Sequence, residues 1–176
     1  VIYDTYLDDW TKTSNYGQDY YIKVRTGGVK VGLIRPDISH IPADAVVTEA
    51  TLRLYVYNSG GHSMLLNAYP VNRAWAENVA NWNQASTTDS WALPGCRATP
   101  EDYQDSVAAS TTLAAANTWV ELDLTDLTQT WINDPTVNKG ILLKGGGDVA
   151  VQYTLVSSQY WDANKRPQFD IAYYVP

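Results

Sequence analysis

The chain is poor in the residues on which most enzymes run their chemistry. Its 176 residues hold two histidines (His40 and His62), one cysteine (Cys96) and one methionine. No His-x-x-x-His or Cys-x-x-Cys spacing occurs, so the common zinc motifs are excluded. A lone cysteine closes no internal disulfide, and the redox compartment is not readable from it. There is no Gly-x-Ser-x-Gly elbow, and the glycine clusters lack the Lys-Ser/Thr and following helix of a phosphate cradle. No apolar run approaches the ~18–20 residues of a membrane span. Basic residues are also scarce, 12 against 19 acidic ones for a formal charge of −7. Nucleic acids and anionic membranes recruit net basic surfaces, so neither is the expected partner. With no initiator Met and no signal-peptide pattern, the chain reads as a mature chain or as one module of a larger parent. Catalysis is not expected from such a set of residues.

Phenylalanine is nearly missing too, yet the chain carries 13 Tyr and 7 Trp beside its single Phe. Rings with an apolar face and a polar edge suit wet binding surfaces, although β-sheets favour the same residues for packing alone. Strand signals dominate the rest. Tyr20 to Thr26 and Val29 to Ile34 flank Gly27-Gly28, which predicts a hairpin. In Thr51 to Tyr57, alternation points Leu52, Leu54 and Val56 inward and Arg53, Tyr55 and Tyr57 outward. Ser63 to Val71, Trp119 to Leu124, Gly140 to Lys144 and Val149 to Val156 continue the series, the last two around a predicted hairpin at Gly145-Gly146-Gly147-Asp148. The final strand places Phe169, Ile171, Tyr173 and Val175 inward. One helix is predicted over Asp126 to Asn133, with Thr125 as N-cap and Pro135 beyond its end. Ten or so short strands predict an all-β fold, an antiparallel β-sandwich of jelly-roll type with one short helix, forming a single domain over residues 1–176. Asn72 to Asp105 is long for a loop; Trp75 and Trp82 are expected to pin it to the sandwich.

Two chemistries stand out. Asp4, Glu101, Asp102 and Asp105 are candidate oxygen ligands for a structural calcium ion, since calcium takes carboxylates and carbonyls from loops. For a binding face, Tyr21, Lys23 and Arg25 share one side of their strand, Lys30 follows across the turn, and Arg53 and Tyr55 share another outward face. Cations beside rings pair with carboxylates while the rings stack on sugars. A solvated sheet face guarded by edge lysines presents the same pattern.

Asp4-Thr5-Tyr6, Asn15-Tyr16-Gly17, Lys23-Val24-Arg25 and Leu33-Ile34-Arg35 open a series of segments that continues through Ala50-Thr51-Leu52-Arg53-Leu54 and Asn81-Trp82-Asn83. It closes with Leu122-Asp123-Leu124-Thr125, Asn138-Lys139-Gly140-Ile141-Leu142-Leu143 and Arg166-Pro167. In this order, and over essentially the whole chain, they resemble the DNRLRE domain, related to the disaggregatase repeats and to carbohydrate-binding module family 96. The chain departs from that pattern where Pro36 follows Arg35, a residue expected to break the strand, and where Ser157-Ser158-Gln159 replaces a Glu-bearing triplet. The resemblance implies a non-catalytic, polysaccharide-binding β-sandwich of a secreted or cell-surface protein. Some relatives are similar to alginate-binding modules, which use a basic patch for uronate carboxylates. By position the resemblance makes that patch Lys23, Arg25, Lys30 and Arg35, with Lys144 as a further candidate. The alternative is a structural subunit of an extracellular filament or surface layer, in which Val1 to Leu7 pairs with another copy or another domain.

Overall fold

The computed structural model describes residues 1–176. Its strands are β1 (Ile2–Asp8), β2 (Tyr21–Arg25), β3 (Lys30–Pro36), β4 (Val46–Asn58), β5 (Met64–Pro70), β6 (Ala109–Leu113), β7 (Thr118–Asp123), β8 (Ile141–Gly146), β9 (Gln152–Val156) and β10 (Gln168–Tyr174), with one α-helix, α1 (Thr125–Asn133). One half of the curled sheet is β7-β4-β9-β2, with β10 also on β4; the other is β1-β3-β8-β5-β6. Every strand pair is antiparallel, and the halves join at the pair Arg25↔Lys30 and at an isolated parallel bridge, Thr26↔Gly145. The result is an all-β sandwich of jelly-roll type with one short helix.

Alternation explains the sandwich. Leu52, Leu54 and Val56 of β4 are fully buried and meet Leu66 of β5 and Leu143 of β8 in the main core. A second core lies on the outer side of β1, β3 and β8, where Leu7, Val31, Leu33 and Leu142 pack under Trp75, Trp82 and Trp91 of the long Asn72 to Asp105 loop. β3 and β8 are therefore covered on both faces, which is why they read as near-continuous apolar runs rather than alternating ones. Trp75 and Trp82 pin the loop as the sequence implied, each about 3% exposed. Gly95 makes room for Trp82 by running at φ +86° with its backbone against the ring, where a Cβ would meet the ring at 2.6 Å. With one sheet face closed by the loop, the face of β7-β4-β9-β2 is the one left open.

Several local expectations are corrected. The turn at Gly27-Gly28 closes a hairpin of one antiparallel pair only, Arg25↔Lys30, before β2 runs along β9, and the turn at Gly145 to Asp148 is a corner between the halves rather than a hairpin, since β8 runs along β3 and β5. β2 and β3, like β8 and β9, belong to different halves, so each of these turns carries the chain from one half to the other. Thr125 is the first helical residue rather than the cap; its amide and hydroxyl bond the Asp123 carboxylate. Pro36 does not break β3, because it is the last residue of the strand, opposite Ile2. At the C-terminal end a register shift between Ala172 and Tyr173 turns Tyr173 outward, and it is 42% exposed, as is Val175 at 48%. The first strand is paired within the molecule, Ile2 to Asp8 against Pro36 to Lys30.

Candidate functional site

The open face is built by three alternating strands. On β2, Ile22 and Val24 enter the core and send Tyr21, Lys23 and Arg25 outward. On β4, Arg53, Tyr55 and Tyr57 point the same way, and Trp119 of β7 stands opposite Tyr55 in the register. At a strand spacing of ~4.8 Å, the four strands make a strip about 14 Å wide.

Its centre is aromatic. Tyr160, from the loop before β10, is buried and touches the rings of Tyr20, Tyr21, Tyr57 and Trp161 at centroid distances of 6.0, 5.7, 6.2 and 5.5 Å. Trp161 is nonetheless 70% exposed and Tyr20 51%. Tyr55 meets Trp119 edge to face at 5.3 Å. The Tyr21 phenol is pushed far above its ordinary range, first by the Tyr57 hydroxyl beside it and then by burial, so it stays protonated.

Each of three cations near this face lies against a ring, that of Lys23 being the buried Tyr6. Lys23 lies 5.8 Å from the Tyr6 ring, Arg25 5.1 Å from Trp10, and Lys165 5.1 Å from Tyr55. None of these three takes part in an ion pair; the pairs are Lys12–Asp9, Lys30–Asp8, Arg53–Glu121 and Arg73–Asp102. Trp10, 62% exposed, sits between Arg25 and Lys30.

Five of the eight expected ligand-binding residues thus share one face: Tyr21, Lys23, Arg25, Arg53 and Tyr55. Arg53 is partly engaged there. Its Nε stands 3.2 Å from Glu121, off the N–H direction, and its Nη1 donates to Gln168 at 3.0 Å. Of the other three, Lys30 borders this face beside Arg25, and Arg35 and Lys144 lie elsewhere. Lys30 is buried at the edge, in an ion pair with Asp8 at 3.3 Å. Arg35 projects from the opposite half against Tyr3 and Trp75 and donates to the Trp75 carbonyl at 3.4 Å. Lys144 is held under the long loop, its Nζ on the Tyr103 hydroxyl at 3.1 Å. The basic patch carried over by position is therefore divided between the two halves of the sandwich. Trp10, Tyr160 and Trp161 complete the face and had no signal in strand alternation, because they come from connecting segments.

The four expected calcium ligands do not converge, and no group of three or more His, Cys, Asp or Glu is placed to hold a metal ion. Asp102 is fully buried and its carboxylate is spent on the loop. It accepts the backbone N–H groups of Ala92 (2.8 Å), Leu93 (3.1 Å) and Ala98 (3.1 Å) and the Arg73 Nε at 2.7 Å. Burial alone would raise its pKa, but these four donors outweigh it and hold the carboxyl below the usual range. Glu101 and Asp105 are exposed. Asp4 is buried on β1, where it accepts the Ser158 N–H at 2.7 Å and donates its own N–H to Glu77 at 2.9 Å. Burial raises its carboxyl to about 7. These residues do not fit a shared calcium site.

A β-sandwich that closes one sheet with a loop and leaves rings and unpaired cations on the other has the form of a binding module. The chain belongs to carbohydrate-binding module family 96, whose family model matches residues 1–172. A search of curated proteins found no match. No helix is long and apolar enough to cross a membrane.

Proposed function

We propose that the chain is a single non-catalytic module that holds a polysaccharide across the open face of β7-β4-β9-β2, as part of a secreted or cell-surface protein. The observation that carries this reading is that Lys23 and Arg25 have no carboxylate partner and share the outward row of β2 with Tyr21, Arg25 lying against the exposed Trp10 ring. Rings such as Trp161, Tyr20 and Tyr57 offer flat faces to the C–H side of a sugar, while a lysine or arginine pairs with a uronate carboxylate. An acidic, alginate-like chain is the ligand class that uses both groups. The overall charge of −7 opposes attraction at long range, but within a Debye length of ~8–10 Å the local pair of cations decides.

Affinity electrophoresis through alginate, pectin, xylan and neutral glucan gels tests this. Retardation by a uronate polymer, relieved by added salt, is the expected result. Free migration in every gel would overturn the reading.

A further inference from the structure

A second feature lies on the far side of the segment that carries Tyr160 and Trp161. Between the edge strands β10 and β1 and the end of β3 runs a cleft of about 680 Å³, within the ~300–1,000 Å³ range of small-ligand pockets. Tyr3 and Tyr173 supply rings in its lining; Glu77, Gln159, Arg166 and Asp170 supply polar groups.

Those polar groups are held in place from behind. The Glu77 Oε1 is fixed by the Asp4 N–H at 2.9 Å, which leaves Oε2 to face other partners. Asp4 also holds the Ser158 N–H, and Gln159 is tied back through its own N–H to the Ser157 hydroxyl at 3.1 Å. Arg166 spends its Nε on the Tyr160 carbonyl at 2.6 Å and is in no ion pair, so its terminal nitrogens are unspent. Preorganised acceptors and donors around rings are what hydroxyl-rich ligands require, because every sugar hydroxyl both donates and accepts.

The sign of the charge separates this cleft from the open face. Asp37, Glu77 and Asp170 place three carboxylates on its walls against two cations, the Arg166 guanidinium and the Val1 α-ammonium, with His40 beside Asp37, so the walls carry an excess of negative charge. Such walls repel uronates and accept from uncharged hydroxyls. We infer that the cleft is a second binding site, for a neutral glycan segment, so that one module presents two surfaces of opposite charge preference. This rests on the cleft alone and holds whichever polysaccharide the open face takes.

Amide chemical-shift mapping of the whole 176-residue chain tests it, with cellohexaose, xylohexaose, mannohexaose and a mannuronate hexamer as probes. At least one neutral hexamer is expected to move the Ser158, Gln159, Asp170 and Tyr173 amides. That affinity should fall roughly tenfold or more, about 1.4 kcal/mol, in a Gln159→Ala/Asp170→Ala variant and stay unchanged in Lys23→Ala/Arg25→Ala. Both variants alter side chains outside the core, and their spectra report whether the fold is kept. Cleft amides that move for no neutral hexamer, or for the mannuronate alone, would overturn the inference. So would amides that shift with protein concentration in the absence of sugar, since a second copy would then fill the cleft. Failure of the open-face reading looks different: the mannuronate leaves Tyr21, Lys23 and Arg25 unmoved while a neutral hexamer still moves the cleft.

Discussion

Tyr21 and Tyr57 stand on strands separated by β9, yet their ring centroids are 4.6 Å apart. The contact bridges β9 and joins the outward rows of β2 and β4 into one aromatic surface. Trp161 extends that surface into solvent, at 70% exposure. Little of its area is buried in the fold, so Trp161→Ala is expected to leave the melting temperature within a degree or two while weakening polysaccharide binding about tenfold, or about 1.4 kcal/mol. Parallel thermal melts and affinity gels measure both.

In the proposed reading the charge contribution comes from Lys23 and Arg25. If they pair with uronates, affinity should drop steeply between ~0.01 M salt, where charges act over ~30 Å, and ~1 M, where they act over ~3 Å. The Lys23→Ala/Arg25→Ala variant should bind more weakly and show a much shallower salt dependence. Titration calorimetry at several salt concentrations reads the slope for both proteins.

Asp102 is the organiser of the Trp-rich loop. Asp102→Ala leaves three backbone N–H groups and the Arg73 guanidinium without their acceptor, and breaking a buried charge pair of this kind costs about 3–5 kcal/mol. Denaturant melts should show that loss. Addition of calcium should not repair it, because the carboxylate acts on protein donors and not on a metal.

Asp4 imposes a pH dependence of unusual sign. Its carboxyl titrates at about 7 in the fold against an ordinary 3.8, so the folded state keeps a proton that the unfolded chain releases. The stabilising contribution is full below pH 3.8 and is lost as pH rises through about 7. Asp123 and Asp134, held low by the hydroxyls of Thr125 and Thr136, act with the opposite sign and only below the ordinary carboxylate value. Asp4→Asn keeps a side-chain oxygen for the Ser158 N–H and cannot ionise. It should flatten the decline in melting temperature between pH 4 and 7 and leave the variant the more stable protein at pH 8. Melts across that pH range provide the check.

Most of the fold was legible because burial on one face imposes period two. Leu52, Leu54 and Val56 against Arg53, Tyr55 and Tyr57 fix β4 and its outward row at once. The turns were legible as turns but not as connections: glycine permits a reversal, and only the facing cores decide whether the next strand pairs with the last or crosses to the other layer. The candidate face was half legible for the same reason. Tyr21, Lys23, Arg25, Arg53 and Tyr55 follow from alternation, whereas Trp10, Tyr160 and Trp161 reach the face from loops whose course depends on tertiary contacts. Lys30, Arg35 and Lys144 have the right chemistry in the sequence, but their partners, Asp8, the Trp75 carbonyl and the Tyr103 hydroxyl, come from distant segments.

The most direct test compares variants of the open face with a control held under the loop. Calorimetric titration of a uronate oligosaccharide into wild type, Tyr21→Ala/Trp161→Ala and Lys144→Ala separates the two halves of the sandwich. Binding lost or weakened tenfold or more in the first variant, about 1.4 kcal/mol, and retained in Lys144→Ala is the result expected if β7-β4-β9-β2 is the binding surface. Undiminished affinity in Tyr21→Ala/Trp161→Ala, with the loss appearing in Lys144→Ala, would contradict it and move the site to the loop-covered half.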